Sequence, residues 1–288
     1  AAIGTSQGLF LYYGNDFYDI SPLDTAITSC TFTTTNNSAT VTINKNTHGL
    51  SAGRYFTFTS VTLPGSGTGY TASDFTTGAY EVVTADTNSF TITMASVESG
   101  AGITAAGSAT INPYVEVGPT FQTAGYGWGT DTWSTSTWGT ERTISNVILE
   151  PGNWSLDNFG EVLVATITGN KTFTWNAGAS NARTIRASTT TTNFSTSNNP
   201  TSSRLTQVSD RDRHLFHFGT ETTIGDTTTV DPLFIRFSNQ EDLNTYTPTS
   251  VNTAGSFRLD KGNKIVGAVS GKDYTLVLTD SSAYVIQF

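Results

Sequence analysis

The chain has 288 residues, enough for one large core or for two domains. Charged residues make up 13% of it, about half the usual share of roughly 25%, and the formal net charge is −9. Because proteins bind the phosphates of nucleic acids through clustered lysine and arginine, this composition argues against a nucleic-acid-binding protein. The single cysteine, Cys30, excludes an internal disulfide, and no apolar run approaches the roughly 18 residues of a membrane span.

The first predicted strands lie at residues 9–13 and 17–20, and we assign them to the same domain as the strands after residue 113. Apolar and polar residues alternate with a period of two in these and many later stretches, such as residues 163–167. Apolar residues nowhere keep a helical spacing over three turns. The sequence therefore predicts an all-β protein.

Residues 28–112 differ from the rest of the chain in composition and in the spacing of their predicted strands. Short alternating stretches at 40–43 and 55–59 are rich in β-branched and aromatic residues, and glycine-rich turns separate such stretches. This spacing fits a small β-sandwich. The segment is similar to the immunoglobulin-like modules that phage structural proteins carry as surface decorations. We therefore predict that it is inserted into a domain made of residues 1–27 and 113–288.

Three tryptophans, Trp128, Trp133 and Trp138, lie five residues apart among glycine and threonine. This spacing matches neither one face of a strand nor one face of a helix. One interpretation is an arm whose indoles insert into pockets of a neighbouring subunit. A second is that each indole covers the chain's own core, and a third is stacking on sugar rings. We take the three residues as candidate interface residues.

The remainder of the chain contains a loose repeat. Residues 160–165 align with residues 262–268, and each stretch is followed by a turn and a second strand. This succession of strands joined by tight turns is typical of a β-propeller blade. Three blades can be recognised, whereas a closed ring needs at least four. A further blade is expected in the tryptophan-rich region or beyond residue 288.

The most specific pattern lies towards the end of the chain. Residues 233–237 form a predicted strand that runs into the sequence SNQEDLNTYTP at 238–248, and strands follow at 265–270 and 274–279. This order resembles the tail nozzle, or packaged-DNA-stabilisation, proteins of short-tailed bacteriophages. Tyr246 stands where that family has tryptophan before Thr-Pro, and we include it among the candidate interface residues.

The resemblance covers residues 1–27 and 113–288 and is most specific over 233–259. It implies a propeller-like virion protein that forms a ring, a hexamer, below the portal and adaptor of the phage tail. Such a ring retains genomic DNA and later conducts it during ejection. The implied partners are further copies of the chain, the portal, the adaptor and other tail proteins, with DNA in non-specific transit. Members of that family continue past the point where this sequence ends, so we expect a piece of a longer protein.

Candidate catalytic residues are few. His214 and His217 lie three apart on a predicted strand, which sends their side chains to opposite faces, and the ligand set of a zinc site is missing. The acid pair Glu241 and Asp242 could serve a glycosidase, but any acidic β-protein offers such pairs. We therefore predict no enzyme, no metal and no cofactor. The alternatives are a tail protein that binds host glycans and, less expected, an envelope polysaccharide glycosidase.

Overall fold

The protein is all-β, as predicted. The computed structural model describes residues 1–118, 150–189, 198–209 and 211–287, and in this part of the chain the only α-helix is the single turn α1 (Ala72–Phe75). No helix among the described residues is long and apolar enough to cross a membrane. The chain forms two compact units, residues 1–20 with 117–288, and residues 21–116. The sequence places the corresponding boundaries at 27/28 and 112/113.

The larger unit begins with a three-stranded antiparallel sheet. Its strands are β1 (Ala2–Gly4), β2 (Leu9–Tyr13) and β3 (Asp16–Asp19), and they pair in chain order. From the sequence we expect a further blade in the tryptophan-rich region, which lies outside the described residues, or beyond residue 288; this additional sheet lies instead at the start of the chain. Its first strand has only three residues, too few to show a period of two.

The smaller unit is one antiparallel sheet of seven strands, where the sequence predicts a small β-sandwich. The strands pair in the order β7-β6-β10-β4-β5-β9-β8. Their bounds are β4 (Ile27–Thr35), β5 (Thr40–Asn44), β6 (Tyr55–Thr62), β7 (Ala79–Glu81), β8 (Thr84–Ala85), β9 (Ser89–Thr93) and β10 (Gly102–Pro113).

This sheet is curled, because its two edge strands are neighbours along the chain. Between β7 and β8, the Val82 amide donates to the Arg54 carbonyl and the Val83 amide donates to the Thr91 carbonyl, each at 2.8 Å. One chain segment thus pairs with both ends of the sheet. The curled sheet encloses a core of aromatic and aliphatic side chains, among them Phe32, Phe56, Phe58, Phe75 and Phe90.

Three more sheets complete the described part of the larger unit, and each is a meander that pairs in chain order. The second sheet has β11 (Trp154–Phe159), β12 (Val162–Ile167) and β13 (Thr172–Asn176). The third has β14 (Ser203–Val208), β15 (Leu215–Thr220), β16 (Phe234–Phe237) and β17 (Gly255–Arg258). The fourth has β18 (Ile265–Ser270), β19 (Thr275–Thr279) and β20 (Ala283–Ile286).

The four sheets follow one another as the blades of a propeller do. Their first strands form a series of neighbours, because β1 contacts β11, β11 contacts β14 and β14 contacts β18. One apolar cluster fills the space between the second and third sheets, with Val164 and Leu215 at its centre. Another joins the third and fourth sheets through Phe218 and Val277. The larger unit is therefore propeller-like, as predicted.

Candidate functional site

A cavity of about 340 Å³ opens where the first strands of the second, third and fourth sheets approach one another. A second cavity, of about 320 Å³, shares four of its lining residues. We call the first cavity the first-strand pocket; its walls are Glu150, Pro151, Asn153, Trp154, Ser155, Thr168, Arg204, Leu205, Lys264 and Val266. Glu150 is the one acidic residue among the described residues that line either cavity.

Glu150 joins two cations that belong to different sheets. Arg204 on β14 donates from Nη2 to Glu150 Oε2 at 2.6 Å, and Lys264, just before β18, donates from Nζ to Glu150 Oε1. The hydrogen bond from Lys264, assisted by Arg204, holds the pKa of the Glu150 carboxyl below its ordinary value. Two positive charges and one negative charge leave the pocket with a net charge of +1 in an otherwise acidic chain.

Trp154 is held in one orientation by the first sheet. Its indole Nε1 donates to the Thr5 carbonyl at 2.9 Å. The ring also lies directly against Gly4, where a Cβ atom would come within 2.5 Å of the indole, so only glycine fits at that position. Both contacts hold the indole against the first sheet, whereas the side chain of Ser155, the next residue of β11, reaches the third sheet.

The hydroxyl groups of the pocket are also fixed by the backbone. Ser155 donates from Oγ to the Thr206 carbonyl at 2.6 Å, and Thr168 donates from Oγ1 to the Asn153 carbonyl at 3.2 Å. Their remaining lone pairs can accept hydrogen bonds. The pocket thus combines two cations, one carboxylate and hydroxyl acceptors within a small volume.

A serine and a histidine come into contact elsewhere in the same unit, but their environment rules out nucleophilic chemistry. Ser203 Oγ lies 2.8 Å from His217 Nδ1, and His217 Nε2 lies 3.1 Å from the Tyr246 hydroxyl. His217 is completely buried, and burial, assisted by the Arg236 charge, lowers its pKa to about 3. A general base needs a pKa nearer neutrality and access to substrate. These residues are part of a polar core.

The candidate interface residues of the sequence analysis are not at this site. Trp128, Trp133 and Trp138 lie outside the described residues. Tyr246 is described, and its side chain is 1% exposed within the apolar cluster between the second and third sheets. We therefore correct its role from an interface residue to a core residue, because a side chain covered by its own chain has no surface to offer a partner.

The two histidines and the acid pair have local structural roles. His214 Nδ1 donates to the Ser238 carbonyl at 2.7 Å, a different environment from that of His217. Glu241 pairs with Arg213 at 3.0 Å, and Asp242 accepts the Asn244 amide at 2.7 Å within a turn. Among the described residues no cluster of three or more His, Cys, Asp or Glu side chains could hold a metal ion.

Sequence reasoning missed the pocket residues Glu150, Trp154, Arg204 and Lys264. Glu150 is separated from Arg204 by 54 positions and from Lys264 by 114, so no local motif connects them. Trp154 and Arg204 lie on the first strands of their sheets, and the first strands of propeller blades lie close together around the centre. The sequence could have pointed to these residues only if the order in which the strands pair had been known.

Comparisons with known proteins give little further guidance. No family model matches the chain, and no curated protein matches it. One similar solved structure is described as a phage phi92 endosialidase, with 14% sequence identity and a TM-score of 0.25. The similarity covers 93% of this chain and 36% of that one, so this chain spans about a third of the other's length. A TM-score this low does not establish a common arrangement, and the similarity carries no argument about activity.

Proposed function

We propose that this chain is a structural virion protein, a subunit of the nozzle or hub ring in the tail of a short-tailed phage. In this role its propeller-like unit contributes a rigid wall, and its partners are further copies of itself, the portal, the adaptor and other tail proteins. DNA passes through the ring during ejection without specific contacts. The proposal requires no bond-making chemistry.

The observation that carries the proposal is apolar surface on the outer faces of the first and fourth sheets. On the fourth sheet, Val269, Leu276 and Val285 form one row across its three strands, and the two valines are 60% and 61% exposed. On the first sheet, Phe17 is 67% exposed and its ring lies 5.0 Å from that of Tyr12. Contiguous exposed apolar surface is typical of sites that contact other proteins.

Charge supports the same role. The chain carries a formal net charge of −9, with 14 Lys and Arg residues against 23 Asp and Glu residues. A conduit for DNA benefits from a wall that does not hold phosphates, because each Lys or Arg contact to phosphate adds affinity that would slow transit. Retention of the genome would then come from constriction or from a plug below the ring.

Self-association is tested by light scattering of the purified chain. We expect a multimer, and we expect the double variant Val269→Asp and Val285→Asp to shift it to the monomer, because two carboxylates would have to be desolvated in the contact. Val251→Asp is the matched control, since Val251 is 92% exposed and lies outside the fourth sheet. A monomeric wild-type chain, or an equal effect of the control, would contradict the proposal.

A further inference from the structure

The packing of the four sheets in the larger unit is directional. β11 turns Trp154 towards the first sheet and the next residue, Ser155, towards the third. β15 turns Leu215 into the apolar cluster shared with the second sheet and the next residue, Phe216, into the cluster shared with the fourth. Each middle sheet thus packs one face against the sheet before it and the opposite face against the sheet after it, as the alternation of side chains along a strand allows.

The fourth sheet has one face left over. Val277 packs towards the third sheet, whereas Val269, Leu276 and Val285 lie in one row on the opposite, outer face, where both valines are mostly exposed. The strands β18, β19 and β20 contain no charged residue. A contact on this outer face would therefore remove apolar area from water without desolvating a charge of the sheet.

The first sheet has a free face that looks the other way along the series. Gly4 lies directly against the second sheet, so the side chains of opposite direction, among them Ile3, Tyr12 and Phe17, are on the outer face. Ile3 and Tyr12 are each 39% exposed. Asp19, the acidic residue on this side, is already ion-paired with an arginine at 3.0 Å. This face is therefore also ready to pack against apolar surface.

We propose that the outer face of the fourth sheet binds the outer face of the first sheet of a second copy of this chain. The first sheet of the second copy then follows the fourth sheet as each sheet follows the one before it within one copy. A contact between two fourth sheets would instead join two like faces, an arrangement that the packing of the described sheets does not use.

The two faces are different surfaces, so the contact between copies is heterologous. Every copy offers one face of each kind, and a series of such contacts closes into a ring where the rotation between copies allows it. The inference rests on the proposed ring of copies and names the two surfaces that form it.

Mixing of two blocked variants tests this pairing. Val269→Asp with Val285→Asp blocks the fourth sheet, and Ile3→Asp with Phe17→Asp blocks the first, since a buried carboxylate without a partner is costly. Each variant alone should be monomeric by light scattering. Their equimolar mixture should contain particles of two chains and none larger, because only one intact face of each kind can then meet.

Cross-linking gives a second measurement that does not need the aspartate variants to fold. Phe17→Cys and Val285→Cys chains are mixed and treated with a thiol-specific cross-linker of short span; the native Cys30 is buried. The link between the two variants should form faster than the link within either variant alone. Val251→Cys in place of Val285→Cys is the matched control, because Val251 is exposed outside the fourth sheet, and it should show no such preference.

The outcomes separate this inference from the ring proposal. A dimer of the variant blocked on the first sheet alone, or equally fast linking of two Val285→Cys chains, would show that two fourth sheets meet and would overturn the inference. A mixture that stays monomeric and is not preferentially cross-linked, although the wild-type chain is multimeric, would also overturn it and leave the ring proposal standing. A monomeric wild-type chain would overturn both.

Discussion

The smaller unit, which we call the insert, and the larger unit, which we call the four-sheet unit, are both antiparallel β structures. The side chains that they bury are of different kinds. In the insert, the curled sheet surrounds aromatic rings, and Phe90 lies 5.4 Å from Phe56 and 4.9 Å from His48 between ring centroids. Each of these residues is at most 7% exposed. Its stability thus comes mainly from apolar area removed from water.

The four-sheet unit buries a large share of polar side chains between its second and third sheets. Thr166 lies 2.7 Å from Thr172 and 2.8 Å from Thr206 between hydroxyl oxygens. Arg236 is 6% exposed and donates to the carbonyls of Tyr246, Glu221 and Thr222. Because buried polar groups need their partners, these sheets can pack in few alternative positions. The insert is therefore stabilised mainly by packing of its apolar core, whereas in the four-sheet unit buried hydrogen bonds also fix the position of one sheet against the next.

The largest expected effect is that of removing an aromatic ring from the insert. Phe90→Ala should lower the free energy of unfolding of the insert by about 3–5 kcal/mol, since it removes buried area and leaves a cavity. Denaturation in urea, followed separately for the two units, would measure it. The matched control is Val97→Ala in the same unit, because that side chain is 52% exposed, with an expected change within about 0.5 kcal/mol. An equal shift in the transition of the four-sheet unit would contradict the separation of the two cores.

A smaller effect, confined to the four-sheet unit, should follow a change of pH. Burial lowers the pKa of His217 to about 3 in the folded protein, whereas an unfolded histidine titrates near 6.5. Unfolding therefore takes up a proton between these values, and stability falls as the pH drops below about 6.5. From pH 7 to pH 5 the loss should be on the order of 2 kcal/mol.

The His217→Gln variant isolates this effect. Urea midpoints measured between pH 5 and pH 7 should lose most of their slope in the variant, whatever its stability at pH 7. Val251→Ala, at a side chain that is 92% exposed, serves as the control and should keep the slope of the wild-type chain. If His217→Gln retained the full slope, the buried neutral histidine would not be its source.

The smallest expected effect compares two threonine pairs of equal geometry. Thr166 and Thr172 are buried, whereas Thr84 is exposed and Thr91 half-buried, yet both pairs have hydroxyl oxygens 2.7 Å apart. Thr166→Val should cost about 1–2 kcal/mol, because it leaves buried partners without a hydrogen bond. Thr84→Val should stay within about 0.5 kcal/mol. Equal costs in thermal unfolding would show that burial does not govern these hydroxyl pairs.

The sequence was informative where alternation encodes one buried face. Residues 40–43 and 55–59 are strands as predicted, and β5 buries every second residue. The same signal fails for β10, whose Gly, Ala and Ser residues resemble a turn and whose pairing with β4 is interrupted by register shifts. The curled form of the insert was equally hidden, because it depends on pairings between distant strands.

The sequence revealed that strands and turns repeat in the larger unit, but it did not give the correct correspondence between the strands. The alignment of residues 160–165 with 262–268 matches β12, a second strand, to β18, a first strand. Turn residues show where one strand ends and the next begins. They do not show whether a strand is the first, second or third of its sheet, because that depends on packing against the neighbouring sheet. The first-strand pocket, which depends on that order of strands, was for this reason beyond sequence reasoning.

Electron cryomicroscopy of the purified wild-type chain tests the proposed function most directly. Class averages should show rings with a central opening and several equivalent copies, sixfold if the resemblance to nozzle proteins holds. Discrete single copies at every protein concentration, with the outer faces of the first and fourth sheets still open to solvent, would contradict it.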